Sequence, residues 1–384
     1  MPSPFRPAAR DWFTWFLGLL VLTSRWATMS RPYFADGPAL IQAAERHTFV
    51  IQPPGYWLYV RTAALFPDPA FGLSLINALA SALGASVFYV LSLQLTTRSG
   101  ARLAAAAYAS IYFAWFAGSV QSSYAGELLF APLLLLFLVL YIQRPAASFL
   151  CAAAVSYASA AGVRPSDGVF LLPALLYFAL RHVKTWKHRL LLVGATGLLS
   201  LLWFIPEQIA LNNLRETTAG QLWSVAGDRA PILHGFSKLA ISNVVRAVLP
   251  LAFALWSLVP AFINALRGEM RTLLWMWLIP GLAFFTCVYI SDALYLCFLL
   301  PAFILLAVGR RPGTLIHASL ATCAAWNILF FLFARPVDTT RSLAVAEYSV
   351  NGARYGAWAL QHQWFRTLRT YTEVPAIETG ESSH

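Results

Sequence analysis

Charge is what this chain has least of. Of its 384 residues 11% are Asp, Glu, Lys or Arg, whereas 59% are apolar, and the mean hydropathy is +0.63. A soluble domain has about a quarter of its residues charged, and a disordered chain needs low hydrophobicity. Both classes are excluded, and a polytopic membrane protein is implied. Cysteine is scarce too: Cys151, Cys287, Cys297 and Cys323 each fall inside an apolar run with no CxxC or Cys/His spacing. Neither a disulfide framework nor a zinc site is indicated, and packing roles are expected. Glycine-rich phosphate loops and a GxSxG element are absent. The six histidines before the C-terminal His384, namely His47, His182, His188, His234, His317 and His362, are scattered, none with a partner at metal-ligand spacing. Acids are outnumbered, 16 against 27 Lys and Arg, giving a net charge of +11 and a pI near 9.7. In a soluble protein such an excess points to nucleic acid. In a membrane protein the positive-inside rule accounts for it, so no nucleic-acid partner is expected.

What is present is a series of long uncharged runs. Crossing about 30 Å of hydrocarbon takes roughly 20 apolar residues in a helix, and the runs predict about eleven helices over 12–29, 70–95, 102–120, 125–142, 146–163, 168–181, 190–206, 245–266, 272–290, 294–309 and 314–333. The expected fold class is an all-α transmembrane bundle. The first run follows a basic leader like a signal peptide, but Arg25-Trp26 stands where a small-residue cleavage site belongs, so it reads as an uncleaved span. With the N-terminus cytoplasmic, alternate connections collect Arg98 and Arg102, then Arg144, then Arg181, Lys184, Lys187 and Arg189, then Arg267 and Arg271, then Arg310 and Arg311. Only Asp11 and Glu269 are acidic on that side, so acid/base chemistry is expected on the outer face. Long outer loops are expected over about 30–69 and 207–244. Residues 1–336 read as the transmembrane domain. Residues 337–384 read as an outer interfacial helix, carrying Trp358, Trp364, Phe365, Leu368 and Tyr371, with a disordered tail.

The first outer loop is the most informative segment. Tyr33-Phe34-Ala35-Asp36-Gly37-Pro38 sets one carboxylate directly after the first span and before an amphipathic stretch. Helix capping explains an acid there about as well as catalysis does. Next comes Ile51-Gln52-Pro53-Pro54-Gly55-Tyr56-Trp57-Leu58-Tyr59, in which two prolines fix a turn, Gly55 releases it and aromatics anchor at headgroup level. A loop of some forty residues returning twice to the membrane is expensive to order unless it builds something.

On these elements, with Tyr124-Ala125-Gly126-Glu127 and Gly162-Val163-Arg164-Pro165-Ser166-Asp167, the chain resembles the polyprenyl-phosphate-sugar-dependent membrane glycosyltransferases of the GT-C class, in particular the bacterial protein O-mannosyltransferase-like branch. The resemblance covers about residues 30–180 and is architectural beyond. It implies a sugar transferase of the bacterial cytoplasmic (inner) membrane, with its N-terminus inside and C-terminus outside. Asp36 stands in the position of the catalytic base. One departure is Gln52, where the family often has His before the two prolines. A titratable ring is exchanged for an amide there, so the sugar does not carry over. The length, with no large soluble C-terminal domain, argues against an oligosaccharyltransferase.

Such chemistry needs a cation beside the departing phosphate, and Arg164, at a helix end and followed by Pro165, suits it. Further substrate contacts are expected from Glu127, Gln52, Tyr56, Asp167, Asp292 and Tyr295. Each has a plainer reading as well: Glu127 as a first-turn acid, Asp167 as a cap or the ion-pair partner of Arg164, Asp292 as a turn residue. The partners implied are a polyprenyl-phosphate-linked sugar, membrane lipid and an acceptor that is a glycan, a lipid or a protein. No cofactor is called for, although a divalent metal ion stays open. A transporter or flippase for lipid-linked sugars is the alternative, but it needs ionisable groups in mid-span and paired repeats, which this sequence lacks.

The orientation is tested by single cysteines in a background without the four native ones. Ser166→Cys reacts with an impermeant thiol reagent added outside intact cells and Thr185→Cys does not; labelling at both, or only at Thr185, refutes the assignment.

Overall fold

The structure, a computed structural model, describes residues 11–28, 37–48, 55–213, 244–264, 269–287, 293–309, 312–333, 347–350 and 353–356. Every apolar run predicted above is helical in it. Helix α1 (Trp12–Ala27) is capped by Asp11, whose carboxylate accepts the Phe13 N–H at 3.2 Å, and buries Thr14, Leu17, Val21 and Arg25 along one stripe. Its opposite face exposes Trp12, Trp15, Leu19 and Leu20. Two short helices follow, α2 (Gly37–Glu45) and α3 (Trp57–Ala63), and then α4 (Pro69–Leu95), with Asp68 as N-cap and Pro69 opening the helix. Helices α5 (Arg98–Ser110) and α6 (Tyr112–Ala117) are one predicted span broken at Ile111. Next come α7 (Tyr124–Gln143), α8 (Ala147–Val163), α9 (Pro165–Arg181) and α10 (Trp186–Asn213). The run from 244 to 264 is a π-helical turn, α11 (Leu249–Leu255), a 3₁₀ turn and α12 (Val259–Asn264). Helix α13 (Glu269–Cys287), a 3₁₀ segment (Ala293–Leu299) running into α14 (Leu300–Val308), and α15 (Thr314–Phe333) complete the bundle.

Helices α4, α7, α10, α13 and α15 are each long and apolar enough to cross a membrane. The exterior agrees: α10 exposes Leu190, Val193, Leu198, Leu201, Leu202, Ile205 and Ile209, a continuous apolar face suited to lipid. Inside, backbones approach closely where residues are small. A Cβ on Gly84 of α4 would overlap the Leu128 carbonyl of α7, which also accepts the Tyr108 hydroxyl at 2.7 Å. Helices α2 and α3 fold back on the bundle, burying Leu40, Ala43, Ala44, Tyr59, Val60 and Ala63 against Leu73 of α4 and Val163 of α8.

Three expectations change. Helix α10 runs through Pro206 to Asn213, so Glu207 is a helical residue and not part of an outer loop. Proline is tolerated inside membrane helices because neighbouring groups satisfy the freed carbonyl, and α7, α9 and α13 also contain one. Helix α9 starts at Pro165, so a single extended residue separates it from α8. Cys297 and Cys323 are buried as packing residues, but Cys151 is exposed on the outside of α8. In the tail, strands Glu347–Val350 and Ala353–Gly356 form an antiparallel hairpin pairing Glu347 with Gly356. The residues assigned to an interfacial helix there lie outside the described ones.

The basic end of the bundle is closed by Asp11. Its carboxylate meets Arg98 Nε at 2.8 Å, Arg102 Nη2 at 3.5 Å and the Tyr89 hydroxyl at 2.5 Å, joining α1, α4 and α5. The Arg98 guanidinium holds the carboxyl well below the ordinary carboxylate range, against the opposing effect of burial. A depressed pKa contributes stability that is complete above the unfolded value near 3.9 and is lost as pH falls below it. Asp11→Asn keeps the cap but loses the charge and is expected to cost about 1 kcal/mol at neutral pH, Arg98 being largely solvated. In thermal unfolding the difference from wild type stays constant from pH 8 to 5 and shrinks below pH 4.

Candidate active site

Arg164 sits where α8 ends and α9 begins. A residue before proline is pushed to extended backbone, and proline is well suited to the first helical position. Arg164 accordingly has φ −148° and ψ 100°, its N–H still donating to Ala160 O at 2.9 Å and its carbonyl accepting Asp167 N–H at 2.9 Å. The break turns its side chain into the bundle, where it is 3% exposed. There Arg164 Nη1 donates to Glu127 Oε1 at 2.5 Å, and Glu127 Oε2 accepts the Phe298 N–H at 2.8 Å. The guanidinium lies over an edge-to-face pair of rings, 4.1 Å from the Tyr124 centroid and 4.5 Å from that of Tyr295. Asp167, also buried, interacts with both Arg164 and Glu127, and the Tyr56 phenol lies within electrostatic range of Arg164.

Four elements converge to make this arrangement. Gly126 lets α7 approach the end of α8, since a Cβ there would come within 2.6 Å of Val163 Cγ1. The 3₁₀ segment is pinned by Trp277 Nε1, which donates to Phe298 O at 2.8 Å while the Phe298 N–H serves Glu127. Tyr295 is thereby fixed over Arg164. Helix α3 is tied in through Asn77, which accepts the Tyr59 hydroxyl at 2.9 Å and donates to Val120 O and to Ser122 O, just before α7. Burial pushes the Tyr59 phenol upward, so it remains a donor at any physiological pH.

Of the eight residues nominated from the sequence, Arg164, Glu127, Asp167, Tyr56 and Tyr295 meet in this one cluster. Asp36, Gln52 and Asp292 lie outside the described residues; α2 begins at the residue after Asp36. The plainer reading of Arg164 as a surface partner of Asp167 is corrected. The ion pair is buried and its carboxylate is Glu127, because the turn at Arg164 aims the side chain across at α7. Glu127 is more than a first-turn acid for the same reason. Sequence reasoning missed Tyr124, whose place directly ahead of Glu127 in a quoted motif was the available signal, and Glu207, described below. Among the described residues no group of three or more His, Cys, Asp or Glu is placed to hold a metal ion.

Comparison with known proteins finds this helical-bundle fold in solved structures. The fold is that of ArnT from Cupriavidus metallidurans, with a TM-score of 0.55 and 16% identity to the crystal structure bound to undecaprenyl phosphate and 0.54 and 16% to the apo structure. The alignments take in 77% and 78% of this chain but only 58% and 59% of the ArnT chains. Residues 51–209 match the dolichyl-phosphate-mannose-protein mannosyltransferase family, a stretch that contains the cluster's contributions from α3, α7, α8 and α9. No curated protein matches the chain in sequence.

Breaking a buried ion pair from one side strands a charge, which costs about 3–5 kcal/mol, whereas replacing both members by apolar residues is often neutral. Glu127→Leu is therefore expected to destabilise strongly in thermal unfolding. The double variant Glu127→Leu with Arg164→Met is expected to recover most of the loss. A double variant no more stable than the single one refutes the pair as the source of the effect.

Proposed function

We propose that this chain is an integral membrane glycosyltransferase that moves a sugar from a polyprenyl phosphate to an acceptor hydroxyl at the outer face of the bacterial cytoplasmic membrane. The observation that carries the reading is the convergence of Arg164, Glu127, Asp167, Tyr56 and Tyr295 at the end of the bundle that also receives the first outer loop. The match over residues 51–209 and the ArnT fold support it.

A donor anchored by its lipid presents its sugar–phosphate bond at headgroup depth. The acceptor oxygen attacks the anomeric carbon and the bond from that carbon to the phosphate oxygen breaks. The acceptor proton passes to Asp36, and the charge left on the phosphate is met by Arg164. One edge of that guanidinium is taken by Glu127 and the Tyr124 and Tyr295 rings lie against it, so its place is set before substrate arrives. A preset donor costs little reorganisation during the reaction. Tyr56 and Asp167 line the same cluster and are assigned to substrate contact.

Transfer from radiolabelled polyprenyl-phosphate sugars by the purified protein tests the activity. Asp36→Asn preserves capping but abolishes transfer; unchanged turnover would sink the base assignment. Arg164→Lys keeps the charge but loses the planar fork, so kcat/KM falls by the equivalent of about 1–3 kcal/mol. A wild-type rate curve for it moves the phosphate contact to Arg25, Arg31 or Arg61.

A further inference from the structure

The geometry points to Glu207 as the positioning residue that seats Gly55 at the start of α3 and so sets the place of Tyr56 relative to Arg164. Glu207 lies six residues before the end of α10 and is 1% exposed. Its carboxylate accepts the backbone N–H of Trp57, the first residue of α3. It also lies directly against Gly55, where φ is +86°, and a Cβ added at Gly55 would overlap Oε1 and come within 2.8 Å of Cδ. Glycine is required at that position twice over, once for its backbone conformation and once because the carboxylate occupies the side-chain space. Trp203, one turn earlier on the same face of α10, covers Gly162. An added Cβ there would meet Trp203 Cδ1 at 2.9 Å and Leu58 Cδ2 at 3.1 Å.

One helical face therefore touches both sides of the cluster, the turn that delivers Tyr56 and the end of α8 two residues before Arg164. A buried carboxylate in an apolar helix is costly, and among the described residues Glu207 Oε1 has no hydrogen-bond partner. Packing alone would be served as well by an apolar side chain. Glu207 gives what an apolar side chain lacks: an acceptor for the Trp57 N–H that fixes where the turn stops and α3 starts. A neutral amide oxygen can accept the same bond, so the role depends on the acceptor and not on the charge.

The kinetic arm of the test rests on the transferase reading and the labelling arm does not. With full-length protein and an undecaprenyl-phosphate sugar as donor, Glu207→Ala raises the donor KM about tenfold while kcat stays within about threefold, the size expected from a small displacement of a substrate-contacting group. Glu207→Gln restores KM to within about twofold. In a Tyr56→Phe background Glu207→Ala changes KM less than about threefold, because both substitutions remove the same contact. Gly55→Ala, which pushes on the same turn from the other side, reproduces the KM rise. Separately, in protein lacking the four native cysteines, the thiol of Tyr56→Cys reacts with a maleimide at least about tenfold faster when Glu207→Ala is added. Equal losses of kcat in Glu207→Gln and Glu207→Ala would mean that the carboxylate takes part in chemistry and overturn the positioning role, as would an unchanged KM. If wild type turns over no polyprenyl-phosphate sugar, the transferase reading falls. The labelling rate then decides alone, and an unaltered rate refutes the seat.

Discussion

Removing a guanidinium and a carboxylate from water together costs several kcal/mol for each ion, which their attraction repays only when geometry is close and remaining hydrogen-bonding positions are filled. Arg164 and Glu127 meet those terms. The distance is 2.5 Å, the second carboxylate oxygen is filled by Phe298 N–H, and the Tyr124 and Tyr295 rings pack against the guanidinium. Those contacts come from two distant parts of the chain, Tyr124 and Glu127 from α7 and Tyr295 and Phe298 from the 3₁₀ segment. The pair consequently fixes the mutual placement of α7, the α8–α9 break and the 3₁₀ segment before α14. An apolar contact could slide along such helices, but a buried ion pair has one register.

The rest of this end of the bundle is built so that this register is reachable. Pro165 forces the break that turns Arg164 inward, Gly126 removes the side chain that would hold α7 away from Val163, and Trp277 holds the far side of Phe298. The first outer loop is then attached at two points, through Tyr59 and Asn77 to the strand of residues before α7, and through Glu207 to the turn before α3. Both attachments use single polar residues set in apolar helices. In a bundle otherwise cemented by small residues and dispersion, polar bonds of this kind supply directionality that Ala, Leu and Val do not.

The spans were legible because apolar runs near the length of the bilayer are hard to place anywhere else, and arginines and prolines punctuate them. The cluster residues were legible for a related reason: in a chain so poor in charge, Glu127, Arg164 and Asp167 stand out at helix ends. What the sequence did not reveal was partnership. Arg164 has Asp167 three residues away and Glu127 thirty-seven away, and the local choice looked natural until the extended backbone at Arg164 rotated its side chain across to α7. Glu207 was hidden by Pro206, which reads as a helix end in water but is accommodated inside α10. Helix ends inferred from proline are thus least reliable in membrane segments, where lost backbone bonds are made good by neighbours.

Connectivity gives a further reason to place chemistry at this end. Helices α7 and α9 begin at the cluster, α8 ends there and α10 reaches Glu207 near its close, so the connections carrying Arg98, Arg144, Lys184 and Lys187 fall at the opposite end. At that opposite end the buried carboxylate, Asp11, is fully engaged by Arg98, Tyr89 and the Phe13 N–H and has no capacity left for a ligand. At the cluster Arg164 pairs with Glu127 while a second buried carboxyl, Asp167, lies close by. An end made only for stability would have been closed as Asp11 closes the other. The extra carboxyl and the returning loop set this end apart from the end that Asp11 closes.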